Sequence, residues 1–371
     1  MSVLFLFAAL ISVGLVFYFH GFFRRAFEAF SVSPTTRRAK VILWVLSLAF
    51  AGTCVFFTSI LALFVLHLFA FALVCDLVRT IGLWIAHKRF PRFARVWKRV
   101  LFSGIPQTVL AIALILGGAL NMANVHKTAY KLETQKDIAA DGYRVALLAD
   151  LHYGVSLDLA GLEALCDEIE AQAPDLLILC GDIVDESTER SEIPALFSAL
   201  SGVETTYGVF YVYGNHDRLR GNADEDLGAI IEKAGVKVLC DEGVQITEDL
   251  YLVGREDRSQ KRAGGRLSID TLLSACDQTD FLLVLDHQPS EYAENAVAGT
   301  DLLLSGHTHG GQLFPLNLLQ QVIPFNDAVY GETPLGTGGK AIVTSGVAGW
   351  KFPIKTAAPA EYVMIDIVPA K

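Results

Sequence analysis

Five short motifs carry the residue types that could do chemistry. They are Asp150-Leu151-His152, Gly181-Asp182-Ile183-Val184-Asp185, Gly214-Asn215-His216-Asp217, Asp286-His287-Gln288-Pro289 and Gly306-His307-Thr308-His309-Gly310-Gly311-Gln312. Carboxylates, imidazoles and one amide oxygen form a mixed donor set that suits manganese, iron or zinc. Two such cations held close together repel, so an anionic side chain should bridge them. One Asp-x-His or Gly-Asn-His alone is as readily a turn. Five motifs in this order point to hydrolysis of a phosphate ester by a metal-activated hydroxide. His307 and His309 are two apart beside glycines, a spacing that lets one imidazole reach each metal. Asp150 and His152 share that spacing. They would project to opposite sides of a strand unless the strand ends there, and Tyr153-Gly154 makes such a break.

The elements that must position these residues are legible as apolar runs. Segments 143–149, 176–180, 209–212, 281–285 and 302–304 read as short buried strands. Segments 157–171 and 224–233 read as helices between them, and 126–133 as a first strand. Each candidate metal residue falls at or just beyond the carboxyl end of a strand, where open α/β sheets bind ligands. The glycines at 181, 214 and 306 permit sharp turns there.

The front of the chain has a different character. Of 371 residues 52% are hydrophobic, and the excess lies before about residue 122. Residues 1–121 hold 12 Lys and Arg with two acids, Glu28 and Asp76, a net of +10, leaving −20 for the rest. Such asymmetry predicts two modules, 1–121 and 122–371. Residues 1–23 carry no charge, and their basic pair Arg24-Arg25 follows the apolar run, which reads as a retained anchor. Further spans are expected at about 41–60 and 63–86, with a turn near 58–62, and at 100–121, with Pro106 as a kink. With the first at 2–23, that makes a four-helix transmembrane module. Basic clusters follow the first and third spans, which puts both loops in the cytoplasm and the C-terminal domain outside it. The expectation is a multi-pass protein of the cell membrane with an extracytoplasmic catalytic domain. Asp76 and Arg79 are three apart and can pair, most simply as an interfacial pair. Stretches 21–30 and 90–100 mix aromatics with cations and read as interfacial anchors rather than a nucleic-acid surface. The six cysteines form no Cys-x-x-Cys pair and read as packing residues.

With these motifs in hand, residues 122–371 resemble the calcineurin-like metallophosphoesterase superfamily. The closing Gly-His-Thr-His-Gly-Gly-Gln, with Ser345-Gly346 and Pro353-Ile354, resembles its membrane-linked bacterial type and the animal transmembrane protein with a metallophosphoesterase domain. The resemblance implies an α/β domain built as a four-layer α/β/β/α sandwich with mixed sheets, and two divalent metal ions. It implies that Asp150, His152 and His309 bind the first metal and Asn215, His287 and His307 the second. Asp182 would bridge both, together with the attacking hydroxide. His216 would act as general acid, or stabilise the transition state, with Asp185 orienting it. No position of this set is substituted.

Other residues admit plainer readings. Asp217 and Asp286 read as supporting or turn residues rather than ligands. Arg255, Arg258, Lys261, Arg262 and Arg266 form a basic cluster, either a phosphate clamp or, more simply, a solvated loop. Phe314-Pro315, Trp350 and Phe352 could line a rim near the site or the membrane, or pack in the core. The function expected is a membrane-anchored phosphoesterase. A phosphodiester is favoured, and a lipid-linked or envelope substrate would suit the anchoring. The alternative is a membrane sensor or scaffold that binds a phosphorylated ligand without turnover.

Overall fold

The computed structural model describes residues 2–370 apart from 56–58, 90, 219–222, 264, 275, 324 and 337. They divide into two compact units, Met1–Gly117 and Gly118–Lys371.

The first unit is helical: α1 (Ser2–Ala29), α2 (Arg37–Val55), α3 (Ile60–Arg89), α4 (Pro91–Phe102) and most of α5 (Ile105–Met122). Phenylalanines and small residues join the long helices, with Phe22, Leu68, Ala72 and Ala111 in one cluster and Phe19, Ala51 and Val65 in another. Among the described residues two helical segments are long and apolar enough to cross a membrane, Ile60–Gly82 and Ile105–Met122. The other two expected spans fall on α1 and α2. Arg37, Arg38 and Lys40 open α2 and shorten its apolar run. Pro106 does not kink a span; it sits in the first turn of α5, where a missing N–H costs nothing. The expected turn near 58–62 begins outside the described residues. The aromatic–basic stretch at 90–100 falls on the short helix α4. Asp76 pairs with Arg25 of α1 at 2.8 Å as well as with Arg79 at 3.5 Å, so it ties two helices rather than one turn.

The second unit holds two six-stranded mixed sheets. Its strands are β1 (His126–Thr134), β2 (Tyr143–Leu148), β3 (Leu176–Cys180), β4 (Val209–Val212), β5 (Lys237–Val238), β6 (Glu242–Gln245), β7 (Leu250–Gly254), β8 (Phe281–Leu285), β9 (Leu302–Ser305), β10 (Gly331–Pro334), β11 (Lys340–Val343) and β12 (Glu361–Pro369). The helices are α6 (Leu159–Glu170), α7 (Ile193–Ser201), α8 (Ala223–Lys233), α9 (Ile269–Leu273), α10 (Tyr292–Ala298) and α11 (Leu316–Val322). One sheet runs β1-β12-β2-β3-β4-β5 and the other β10-β11-β9-β8-β7-β6. Within them β2 to β5 are parallel, and so are β7, β8, β9 and β11.

Strands buried on both faces must be apolar throughout, and β3, β4 and β8 are. Leu147, Ile178, Val212, Leu252, Leu283 and Leu304 meet between the sheets. The other faces are covered by helices: Leu162, Ile169, Phe197 and Ile231 lie over the first sheet, and Ile269 and Leu273 over the second. The layers are therefore helix, sheet, sheet, helix. Parallel strands put the carboxyl ends of β2, β3 and β4 at one edge and those of β8 and β9 opposite.

Candidate metal centre

All five motifs start where a strand stops. Asp150, Asp182, His287 and His307 each stand two residues beyond the ends of β2, β3, β8 and β9, and Asn215 and His216 follow β4. The backbone then takes an uncommon course. Asp150, His152, Asp182, His307 and His309 all have positive φ, between 39° and 70°. Left-handed conformations at non-glycine residues cost roughly 1–3 kcal/mol each and persist only where the surroundings enforce them. Here they let residues two apart turn to one centre. Strand β2 ends at Leu148, so the opposed projection of Asp150 and His152 does not arise.

Two groups of donors result. Asp150, His152 and His309 form one, and Asp182, His287 and His307 the other, each with its ligand atoms within 4.8 Å of one another. Asp182 Oδ2 lies 3.1 Å from His287 Nε2 and 3.9 Å from His152 Nε2, between the groups. His152 and His309 face each other through their Nε2 atoms at 3.3 Å. In three of the four imidazoles Nδ1 is engaged elsewhere: His152 with Asp185 Oδ2 at 3.1 Å, His287 with the Cys180 carbonyl at 2.9 Å and His309 with the Ala348 carbonyl at 3.1 Å. An Nδ1–H donated outward fixes the tautomer that leaves Nε2 as a lone pair. His287 Nε2 and Asn215 Oδ1 are buried without a hydrogen-bond partner, and His287 Nε2 stands 3.1 Å from Asp182 Oδ2. Buried acceptors left unpaired beside carboxylates fit divalent cations.

The electrostatics divide the ligands. Burial pushes the Asp150 carboxyl up to about 6, and the charge of Asp182 adds to it. Burial opposes ionisation of Asp182 too, but His287 and His152 outweigh it and hold that carboxyl far below its usual range. Burial lowers His309 well below its ordinary value, and burial with the charge of His287 lowers His307 to about 4. Burial works against protonation of His287 and His152 as well, but the surrounding carboxylates prevail and raise both.

Supporting residues hold the turns in place. Asp217 is fully buried and accepts the N–H groups of Asp182 (2.7 Å), Ile183 (2.9 Å), Val184 (3.0 Å) and Gly214 (2.7 Å). Asp150 accepts the His307 N–H, joining the two sheets. Gly181 has φ +80°, and a Cβ there would lie 2.5 Å from the His287 ring and 2.8 Å from the Gly214 backbone. Asp286 is buried against Arg255 and Arg266.

One assignment is corrected. Asp185 does not orient His216; its carboxylate is spent on His152 and on the Ser187 N–H and hydroxyl. The neighbouring Glu186 accepts from His216 Nδ1 at 3.1 Å, and the Trp350 ring flanks His216 at 5.3 Å between centroids. Glu186 went unread because a second carboxylate beside Asp185 looks redundant until the turn separates them. The basic cluster is not a solvated loop at Arg255 and Arg266, whose side chains are 1% exposed and paired with Asp286 and Glu291. Arg258 is half-buried, and the side chains of Lys261 and Arg262 lie outside the described residues. Lys355, also missed, is buried and donates to the carbonyls of Ser345 and Gly346, the turn that backs Asp150. Phe352 packs in the core, whereas Trp350 stays 46% exposed.

His216 stands at the open side. Val155, Glu186, Arg190, Trp350 and Lys351 line an adjoining groove of about 650 Å³ with two cations and an indole.

The family model described as calcineurin-like phosphoesterase matches residues 143–311. An uncharacterized metallophosphoesterase of Aquifex aeolicus is 30% identical over 261 residues, 69% of this chain and 97% of that protein. Phosphodiesterase YaeI of Escherichia coli is 30% identical over 246 residues, 64% and 87%. The transmembrane protein with metallophosphoesterase domain of Danio rerio is 26% identical over 325 residues, 83% and 72%.

Proposed function

The chain belongs to the calcineurin-like phosphoesterase family and is a metal-dependent phosphoric ester hydrolase; from that premise we propose a membrane-anchored phosphodiesterase acting outside the cytoplasm on a lipid-linked or envelope-derived ester. The observation that carries the reading is the donor set: imidazole Nε2 lone pairs fixed by outward Nδ1 contacts, around a carboxylate shared by two groups. Asp150, His152 and His309 would hold one divalent cation, and Asn215, His287 and His307 the other, with Asp182 common to both. Bound there, the pair supplies Lewis acidity toward phosphoryl oxygens and lowers the pKa of water. The mixed carboxylate, imidazole and amide donors suit manganese, iron or zinc.

The protein's own groups do the rest. His216 gives a proton from Nε2 to the departing alkoxide, and Glu186 accepts the Nδ1–H of the neutral ring that remains. Trp350 limits the swing of the ring. Arg190 and Lys351 in the adjoining groove attract the phosphate and whatever anionic group lies beyond it. A diester is favoured because YaeI carries the name phosphodiesterase. Anchoring rests on two apolar helices and on the Danio rerio relative's name. The outward placement rests on the loop charges.

The test is hydrolysis by the full chain in detergent, loaded in turn with manganese, iron and zinc. We expect bis-p-nitrophenyl phosphate to be cleaved faster than p-nitrophenyl phosphate, and Asp182→Asn to lose activity together with bound metal. A folded, metal-loaded protein that cleaves neither would favour the sensor or scaffold.

A further inference from the structure

Helix α11 is built inside out. A surface helix normally turns its apolar side to the core. Here Asn317 and Gln320 face the unit: Asn317 crowds Gly311, and the side-chain oxygens of both are buried. Leu318, Leu319 and Val322 point outward, followed by Ile323 and Phe325. Val322 is 78% exposed and Phe325 72%. No charge occurs from Gly311 to Asn326, in a unit otherwise rich in acids. Exposed apolar side chains gathered on one uncharged segment call for a cover.

The place of α11 says what covers it. Its entry is pinned by Phe314 N donating to Thr356 Oγ1 at 3.0 Å and by Thr356 N donating to the Gln312 carbonyl at 2.8 Å. The same segment is held by the end of α5: Lys355 N donates to the Gly118 carbonyl at 3.2 Å, and Asn121 Nδ2 donates to the carbonyls of Lys355 (2.9 Å) and Ala358 (2.7 Å). Helix α5 is one of the two apolar enough to cross a membrane. The entry of α11 is therefore held by the same segment that binds the last turn of an apolar helix, and α11 begins shortly after His309.

We propose that Leu318, Leu319, Val322, Ile323 and Phe325 form a lipid-bilayer docking face, a second attachment that holds the metal centre close to the membrane surface. The apolar side chains enter the acyl boundary, while Asn317 and Gln320 stay with the protein. The inference rests on the membrane association proposed above.

The test uses the full chain reconstituted in phosphatidylethanolamine–phosphatidylglycerol vesicles. A benzophenone side chain is placed in turn at Val322, at Phe325 and at Val297, which is 89% exposed on α10. Retained hydrolysis of bis-p-nitrophenyl phosphate shows that each variant is folded. On irradiation, lipid adducts are expected at Val322 and Phe325 and not at Val297. Equal adducts at all three positions, or none at 322 and 325, would overturn the proposal. Protein–protein adducts at 322 and 325 would overturn it in favour of a second copy. Flotation of the unmodified chain with vesicles is scored separately. If it fails, the anchoring reading fails; if it succeeds without adducts at 322 and 325, only the docking face does.

Discussion

At the scale of single residues, two adjacent carboxylates do different work. Asp185 reaches His152 and Glu186 reaches His216, so neutralising each should give a different defect. Asp185→Asn removes the acceptor that fixes the His152 tautomer. It should weaken metal affinity by about 10–100-fold while excess metal restores turnover. Glu186→Gln should leave metal content unchanged, lower kcat and move the limb of the pH–rate profile that reports the acid. Metal analysis and kcat profiles on both variants separate the two roles; identical behaviour would refute the division. Metal loading should also depend on pH. The cation needs Asp150 ionised and His287 neutral, yet Asp150 is pushed up to about 6 and His287 is held above its ordinary value. Protons and cation compete, so affinity climbs as pH rises through about 6 and onward, with proton release on loading. His307, lowered to about 4, takes no part in that range. Calorimetry of manganese binding in buffers of different ionisation enthalpy measures the release. An affinity that stays flat from about pH 5 to 8 would contradict the assignment.

At the scale of elements, the turn after β3 depends on one side chain. Asp217 gathers four N–H groups that no strand or helix uses. Asp217→Ala would leave them buried and unpaired at roughly 1–3 kcal/mol each, relieved in part by water entry. A loss of at least about 3 kcal/mol is expected, with metal binding lost as well, read from urea midpoints and metal content. A change within about 0.5 kcal/mol would show that water serves as well. This dependence explains what the sequence made legible. Strands β3, β4 and β8 are local apolar runs, so their bounds could be read directly, and the ligands follow from their position after them. Strand β12 could not be placed, because it lies between β1 and β2 through pairings more than two hundred residues apart. The partners of Asp185 and Glu186 were equally hidden. They depend on positive φ angles at Asp150, His152 and Asp182, and nothing in an Asp or a His announces one. Burial of Arg255 and Arg266 was masked by their neighbours, since five cations close together look solvated unless Asp286 and Glu291 are known to face two of them.

At the scale of the whole molecule, charge separates two environments. The first 121 residues carry a net of +10 and the remainder −20. Positive charge close to the ends of spans is retained on the cytoplasmic side, whereas acids contribute little to orientation. The cations from Arg92 to Arg99 directly precede α5, so its carboxyl end, and with it the metal centre, should lie on the far side. A phosphatase reporter that matures only outside the cytoplasm, fused after Lys371, should be active, and a reporter that matures only inside should be silent. The orientation should also yield to charge. Replacing Arg92, Arg95, Lys98 and Arg99 with Gln removes the local bias on α5, so part of the population should invert and the two reporters should both respond. If the inside reporter is active in the unaltered chain, the ester reached by His216 is a cytoplasmic one, while the donor set and its chemistry stand as described. If neither reporter responds to the four substitutions, the basic cluster serves lipid headgroups on α4 rather than topology, and the orientation of α5 must be set by the spans before it.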